Sequence, residues 1–212
     1  MKKVLDFWLP DCDHYFEPFI RETGGFDLDR LRVALEYVKD FSIAIDGGAN
    51  VGTWSKVMAD RFEKVFSFEP APDTFECLKR NMFHFMNVEA RQQALGDRHG
   101  LFSIGVDPLR ERNTGSRYIK INEEGSVPML TVDSLNLPSL GFLKLDLEGG
   151  EYLALQGARE TIEKYRPVIF VECKKGMSAR FGNEFNAPLL FLQELGAREV
   201  KRMHADHVLV FD

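Results

Sequence analysis

The feature that most constrains this chain is a glycine-rich loop between a short apolar segment and an amphipathic one. Residues 42–45 form a largely apolar run that ends at Asp46, and the loop Asp-Gly-Gly-Ala-Asn-Val-Gly then occupies residues 46–52. A strand, a tight glycine loop and a helix in this order are typical of a βαβ unit that binds a ligand at the carboxyl end of its strand. The helix is indicated by apolar side chains at helical spacing, namely Trp54, Val57, Met58 and Phe62.

The rest of the chain repeats this alternation of apolar strands and amphipathic helices. Asp27 is a candidate N-cap for the first helix. Residues 1–26 are assigned no regular element, and residues 96–138 only short extended pieces. The alternation predicts an α/β fold with a mostly parallel sheet and helices on both faces. We predict further strands at 64–68, 88–95, 142–145 and 168–171, helices over 28–38, 75–85, 152–162 and 188–195, and a terminal hairpin at 199–203 and 208–211.

Length and charge limit the classes of protein to which the chain can belong. Its 212 residues suit one sizeable domain. We expect residues 41–212 to form the core and residues 1–40 to form an extension that covers the site. The net charge of −6 argues against a dedicated nucleic-acid binder, which would normally present a basic face.

Cysteines and hydropathy give an expectation for the compartment. Cys12, Cys77 and Cys173 are far apart and lack metal-binding spacing, so we expect reduced thiols. Asp6 and Pro10 interrupt the apolar run near the start before a signal peptide could form. No segment approaches the roughly 18 apolar residues of a membrane span. We therefore expect a soluble cytoplasmic protein.

The glycine loop favours a cationic ligand over a pyrophosphate. The nicotinamide fingerprint GxGxxG fails because Ala49 takes its second glycine position. Asp46 precedes the glycines, and its charge would suit the ammonium and sulfonium of S-adenosylmethionine. Asn50 is one of the few non-glycine residues that tolerate a left-handed backbone. The alternative is a tight turn that binds nothing.

A second acid lies where nucleotide-binding units hold a ribose. Glu69 ends the next predicted strand, 23 residues after Asp46, and Pro70 then stops that strand. A carboxylate about 20 residues beyond the glycines can accept hydrogen bonds from both ribose hydroxyls. The alternative is a solvated acid near a strand end.

A third group of acids surrounds a glycine pair. Asp146 follows the apolar residues 143–145, and Glu148 and Glu151 follow it closely. Acids are favoured at the N-terminus of a helix by the helix dipole, which accounts for the presence of Glu151 and partly for that of Glu148. It accounts less well for Asp146, which should still lie at the end of the strand. Asp146 is therefore the first candidate for catalysis, with Glu148 and Glu172 as neighbours.

Five separated motifs resemble the FkbM family of methyltransferases. The resemblance covers roughly residues 42–173. The motifs agree with the family in order and spacing, and they read AIDGGANVGTWS, VFSFEPAPDTFECLKRN, QALGD, TVDSL and FLKLDLEGGEYLALQGA.

The resemblance implies a class I methyltransferase fold, a Rossmann-like domain whose seven-stranded sheet has an antiparallel last strand. It also implies S-adenosylmethionine as cofactor and, most often, O-methylation of a hydroxyl on a sugar or similar small molecule. Glu69 would hold the ribose, and Asp146 would face the reacting centre. The methionine part would be held by Asp46, Gly48, Asn50 and Gly52, and the adenine would be lined by Ala94, Leu95 and Gly96. We also expect Gly47, Val51, Pro70 and Asp146 to bind the cofactor.

An alcohol acceptor must lose its proton, which requires a nearby base or a metal. Asp146, Glu148 and Glu172 could provide the base or could together bind a divalent cation such as Mg²⁺ through oxygen. His14 is another candidate base, although a mobile terminal segment explains it better. His204 and His207 resemble a metal pair, but a turn between edge strands is the better interpretation.

The segment 110–120 departs from the acidic balance of the chain. It carries Arg110, Arg112 and Arg117, which could hold an anionic acceptor such as a phosphate-bearing sugar. A solvated loop is the alternative. Two rival functions also remain open: a non-catalytic cofactor-binding or partner-docking module on the same fold, and an oxidoreductase, which the failed GxGxxG pattern disfavours.

Overall fold

A seven-stranded sheet runs through the centre of the structure, a computed structural model that describes residues 1–121 and 125–212. From one edge to the other its strands are β12 (Arg198–Met203), β13 (Asp206–Val210), β11 (Val168–Glu172), β10 (Phe142–Leu145), β3 (Ile43–Gly47), β4 (Lys64–Phe68) and β5 (Val88–Arg91). β13 alone runs in the direction opposite to the other six. The expected seven-stranded sheet with an antiparallel last strand is thus confirmed.

Helices cover both faces of this sheet because alternate strand residues are apolar on both sides. On one face, Leu31 and Met58 pack with strand residues such as Phe142. On the other, Leu155 and Leu192 pack with Leu143. Among the described residues no helix combines the length and the apolar character needed to cross a bilayer. The helices are α1 (Phe16–Thr23), α2 (Leu28–Leu35), α3 (Thr53–Ala59), α4 (Pro72–Asn81), α5 (Glu151–Gln156), α6 (Arg159–Tyr165) and α7 (Ala187–Glu194).

The predicted strand 88–95 is wrong as a single element. Residues 88–91 form β5 in the central sheet, whereas β6 (Ala94–Leu95) pairs with β9 (Val127–Leu130) in a second sheet. That sheet of four short strands also contains β7 (Gly100–Gly105) and β8 (Tyr118–Lys120). The residues of 96–138 therefore supply most of a sheet of their own, whose pairings are too distant in sequence to be read from local periodicity.

The absence of regular structure predicted for residues 1–26 is also wrong. β1 (Lys2–Val4) and β2 (Phe7–Leu9) form a hairpin, and α1 follows. Val4, Phe7 and Leu9 are buried with α1 and with Val51 of the glycine loop. Strands of three residues are too short to show a period, so only this tertiary burial defines them.

The predicted helix 152–162 divides into α5 and α6 at Gly157. A side chain at Gly157 would collide with the backbone carbonyl of Gly96, which follows β6. This glycine therefore lets the helical layer approach the second sheet closely. Asp27 does occupy the N-cap position of α2, but its backbone is left-handed, with φ of 51°, and its side chain makes no cap hydrogen bond.

Candidate active site

A cavity of about 1100 Å³ opens at the carboxyl ends of the central strands. Its walls are the loops after β3, β4, β10 and β11, the β12–β13 turn, the N-terminal segment, and the insertion that precedes β10. This is the edge at which ligands of open α/β sheets bind. The predicted site residues that line it are Gly48, Asn50, Glu69, Pro70, Ala94, Leu95, Arg110, Arg112, Arg117, Asp146, Glu148 and Glu172.

Four residues of the glycine loop that we expected at the cofactor lie behind this wall. Gly47 ends β3, and Asp46 is fully buried beside it. Val51 packs against the N-terminal hairpin and α1. Gly52 begins α3 with φ of 90°. These positions shape the loop from behind, and any direct contact with a cofactor stays a prediction.

Gly48 brings two loops of the site together. Its φ is 73°, and a side chain there would overlap the backbone carbonyl oxygen of Asp146. The loop after β3 and the loop after β10 therefore meet backbone to backbone, which only glycine permits.

We expect Gly48→Ala to lower the free energy of unfolding by about 2–4 kcal/mol, because it combines an unfavourable φ with this overlap. Gly196→Ala is the matched control, since Gly196 has φ of 91° but nothing within 4 Å of an added Cβ. The control should lose only about 1–2 kcal/mol. Urea unfolding of both variants measures the difference, and equal losses would show that the two loops can move apart.

Glu69 ties the ends of β3 and β4 together. Its Oε2 accepts a hydrogen bond from the Asn50 backbone N–H at 3.0 Å, and its Oε1 accepts one from the Ala71 N–H at 2.9 Å. Asn50 has the left-handed backbone expected of it, with φ of 52°. Burial raises the pKa of Glu69 to about 7, although both hydrogen bonds oppose the rise. Glu69 also lines the cavity, so its remaining lone pairs are open to a ligand.

Asp46 is neutralised by a residue that our sequence analysis did not select. The Lys144 ammonium lies 3.1 Å from Asp46 Oδ1, and Ser55 Oγ donates to Asp46 Oδ2 at 2.6 Å. Lys144 also donates to the Gly48 carbonyl oxygen at 2.7 Å. Lys144 lines the cavity and Asp46 does not. Of this buried pair, the lysine is therefore the partner that faces the ligand space.

Three carboxylates converge at the ends of β10 and β11. Oxygens of Asp146, Glu148 and Glu172 all lie within 4.8 Å of one another. Burial and the Asp146 charge raise the pKa of Glu172 to about 9, and burial raises the pKa of Glu148. The Lys174 ammonium lies 2.8 Å from Glu172 Oε1 and 3.6 Å from Glu148 Oε1. Within the described residues, Glu148 Oε2 is buried without a hydrogen-bond partner.

Glu151 has the structural role that the helix dipole suggested. It is buried at the start of α5, and its Oε1 accepts hydrogen bonds from the backbone N–H groups of Leu147 and Gly149. These bonds shape the turn that follows Asp146.

The three arginines of the insertion have different environments. Arg117 forms a two-pronged ion pair with Asp73 and donates to Thr74 Oγ1 at 2.9 Å, so it is already engaged. Arg110 and Arg112 are exposed on the cavity wall. In the part of the chain that the structure describes, their side chains make no hydrogen bond or ion pair.

A buried aspartate joins this insertion to the N-terminal segment. Asp13 is fully buried and accepts four hydrogen bonds. Two come from the backbone of Tyr15 and Phe16, and two come from the backbone and the hydroxyl of Thr114. The His14 N–H also donates to the Arg112 carbonyl oxygen at 3.0 Å. The N-terminal segment and the insertion are therefore bonded to each other and together form one wall of the cavity.

The histidines are placed apart from one another. His14 and His204 line the cavity with exposed side chains. His207 is buried in β13, and its Nδ1 lies 2.8 Å from Glu199 Oε2. In residues 1–121 and 125–212, the carboxylate trio is the one group of His, Cys, Asp and Glu with the convergence of a metal site.

Several cavity residues escaped the sequence analysis. Lys144 lies inside an apolar strand and far in sequence from Asp46, whereas Lys174 lies two residues after Glu172 but far in sequence from Glu148. Arg30 of α2 bonds to Asp206 of β13 and lies 3.1 Å from Asp27. What these residues share in the sequence is a charged side chain beside or within an apolar run. Such a pattern indicates a buried ion pair only when the partner residue is also known.

Comparisons with known proteins identify the family of this chain. A family model described as "Methyltransferase FkbM domain" matches residues 46–199. The curated hexuronic acid methyltransferase AglP of Haloferax volcanii is 30% identical over 171 residues, which cover 76% of this chain and 67% of that protein.

Two solved structures have the same fold. A methyltransferase FkbM from Methylobacillus flagellatus matches with a TM-score of 0.53 and 17% identity, over 99% of this chain and 49% of that one. A Streptococcus mutans protein described as a methyltransferase, in complex with S-adenosylhomocysteine, matches with a TM-score of 0.51 and 12% identity, over 87% of this chain and 96% of that one. The chain thus spans about half the length of the Methylobacillus structure.

Proposed function

The chain belongs to the FkbM family of methyltransferases, and from that premise we propose that it transfers a methyl group from S-adenosylmethionine to a hydroxyl of a sugar or similar small molecule. The observation that carries the proposal is the shared cavity. Gly48, Glu69 and Asp146 follow three adjacent strands and line one space of about 1100 Å³. That volume is enough for a cofactor and an acceptor together.

The residues fit the cofactor at its nucleoside end. When bound, S-adenosylmethionine supplies a methyl group that is already activated by its sulfonium. Glu69 would accept hydrogen bonds from the ribose hydroxyls, and Ala94 and Leu95, which are buried and on the wall, would contact the adenine. The backbone contact between Gly48 and Asp146 fixes the distance from the cofactor loop to the carboxylates. Positioning of this kind can supply several kcal/mol to a displacement.

Asp146 would receive the proton that the acceptor hydroxyl must lose. It is half-buried on the cavity wall, whereas its two neighbours are buried. A carboxylate with this exposure can reach a bound hydroxyl and can pass the proton on to solvent.

The acceptor would carry an anionic group. Arg110 and Arg112 face the cavity without an acidic partner among the described residues, whereas Arg117 is held by Asp73. A guanidinium is well suited to a carboxylate or phosphate. The Haloferax relative is named for a hexuronic acid, which carries a carboxylate. This likeness supports an acidic sugar as the first acceptor class to test.

A metal is the weaker alternative for activating the hydroxyl. Asp146, Glu148 and Glu172 converge closely enough to bind a divalent cation. However, the Lys174 ammonium already lies 2.8 Å from Glu172 Oε1 and 3.6 Å from Glu148 Oε1, and its positive charge would oppose a second cation beside them. A base without a metal therefore suits this arrangement better.

The proposed function has a direct test in two steps. S-adenosylhomocysteine at 100 times its dissociation constant should stabilise the protein by about 2.7 kcal/mol, which raises the melting temperature. Methyl transfer to uronic acids, sugar phosphates and matched neutral sugars is then measured. Cofactor binding without transfer to any acceptor would favour a non-catalytic module. The proposal would be overturned if millimolar S-adenosylhomocysteine did not change the melting temperature of the folded protein, or if a nicotinamide cofactor raised it instead.

A further inference from the structure

The charges beside the glycine loop stand in a definite order from the core to the cavity. Asp46 is 0% exposed and does not reach the cavity wall. The Lys144 ammonium pairs with its carboxylate and itself lines the cavity. A ligand in the cavity therefore meets the lysine, while the aspartate serves as the buried counter-ion of that lysine.

The Lys144 ammonium is held rigidly by groups on several sides. It donates to the Gly48 carbonyl oxygen at 2.7 Å and pairs with Asp46 Oδ1 at 3.1 Å. The Trp54 ring lies 5.7 Å from it in a cation–π contact. Asp46, Asp146 and Glu69 raise the pKa of Lys144 despite its burial, so it stays charged at neutral pH.

An ammonium has three N–H donors. One is donated to the Gly48 carbonyl oxygen, whereas the contact with Asp46 Oδ1 is an ion pair without hydrogen-bond geometry, so at least one donor is left. Among the hydrogen bonds and ion pairs of the described residues, Lys144 has no third oxygen partner. Its side chain is 6% exposed, so the remaining donor is available to a ligand but not to bulk water. The cavity thus presents a preorganised, partly desolvated cation next to the loop that the cofactor is expected to contact.

We propose that Lys144 binds the α-carboxylate of the amino-acid end of S-adenosylmethionine. This rests on the proposed function, because it assumes that the cofactor occupies this cavity. It reverses the simplest interpretation of the sequence, in which Asp46 would bind the α-ammonium. Asp46 instead keeps Lys144 charged and pointed at the Gly48 loop.

Two analogues of S-adenosylhomocysteine separate the alternatives by calorimetry. One lacks the carboxylate and keeps the ammonium, and the other lacks the ammonium and keeps the carboxylate. For the wild-type protein, removal of the carboxylate should weaken binding at least about tenfold, and more than removal of the ammonium does. A larger loss on removing the ammonium would overturn the proposal, and so would equal losses.

Variants then assign the effect to Lys144. Lys144→Met alone would leave Asp46 buried and unpaired, so it is combined with Asp46→Asn. In the double variant, S-adenosylhomocysteine and its decarboxylated analogue should bind equally. Asp46→Asn alone keeps Lys144 and its bond to the Gly48 carbonyl oxygen, so it should still prefer the carboxylate, although by less than the wild type does because the counter-ion is lost. A preference that survives in the folded double variant overturns the role of Lys144.

The outcomes also separate this proposal from the proposed function. Wild-type protein that binds S-adenosylhomocysteine without distinguishing the analogues overturns only the carboxylate site. Folded wild-type protein that does not bind S-adenosylhomocysteine overturns both proposals. If the double variant does not fold, the comparison of analogues on the wild-type protein still decides whether this cavity selects a carboxylate.

Discussion

Asp146→Asn is expected to lower turnover on the true acceptor by about 10²–10⁴. The substitution keeps the shape of the side chain but removes its ability to take a proton. Asp146 is half-buried and its backbone N–H bonds to the Gly47 carbonyl oxygen at 3.2 Å, so the loop should keep its path. The melting temperature and the affinity for S-adenosylhomocysteine should change little.

The two neighbouring acids are less suited to act as the base. The pKa of Glu172 is raised to about 9 by burial and by the Asp146 charge, so this carboxyl is mostly protonated at neutral pH. Burial also raises the pKa of Glu148. A protonated Glu172 cannot take the proton of the acceptor, and both neighbours are more deeply buried than Asp146, which is therefore the better placed base.

Asp60→Asn is the matched control, because Asp60 is exposed at the end of α3, away from the cavity. It should leave turnover unchanged. Near-normal turnover of Asp146→Asn would remove this residue from the mechanism and return attention to Glu148, Glu172 or His14. Loss of wild-type activity in EDTA, with recovery in Mg²⁺, would show that the three carboxylates hold a metal.

Glu69→Gln is expected to weaken binding of S-adenosylhomocysteine at least tenfold. The carboxylate would accept hydrogen bonds from two ribose hydroxyls, and each charge-assisted bond is worth about 1.5–3 kcal/mol. The two oxygens of Glu69 each accept a hydrogen bond from a backbone N–H, of Asn50 and of Ala71. Glutamine has an acceptor oxygen on one side only, so one of these two bonds is also lost. A modest fall in melting temperature should therefore accompany the loss of affinity.

The same residue predicts how binding depends on pH. The pKa of Glu69 is raised to about 7, and the ionised form accepts stronger, charge-assisted hydrogen bonds than the protonated form does. Affinity should therefore be full well above pH 7 and should decline as the pH falls through 7. Calorimetry between about pH 5.5 and 8.5 measures this decline. Histidines ordinarily titrate in the same range, so control variants are needed.

Two variants control the pH experiment. Glu69→Gln should show no such decline, while Glu63→Gln, an exposed acid after α3, should behave as the wild type does. A pH profile that is unchanged in Glu69→Gln would mean that the ribose is bound elsewhere.

Local sequence was enough to predict the elements that carry the site. The strands at 64–68 and 142–145 match the structure residue for residue. Each is a short, largely apolar run closed by a turn or an acid, and its burial follows from that pattern. The edge of the sheet where the acids meet follows in turn from the order of strands and helices.

Long-range contacts were beyond this kind of prediction. Ala94 and Leu95 leave the central sheet only because β9 offers a partner more than 30 residues away. Asp46 was expected to face a ligand because the sequence does not show that Lys144 lies against it. Val51 is buried by a hairpin whose three-residue strands have no detectable period. In each case the deciding neighbour is distant in sequence.

The bond network of Asp13 sets a rule for redesigning which acceptor the enzyme takes. Its carboxylate is fully buried, and two of its four hydrogen bonds come from Thr114 in the insertion. One of these two bonds comes from the threonine hydroxyl, so a grafted insertion without it would leave the buried Asp13 short of one donor, at a cost of about 1–3 kcal/mol. Exchange of the insertion together with the N-terminal segment should therefore preserve stability better than exchange of the insertion alone.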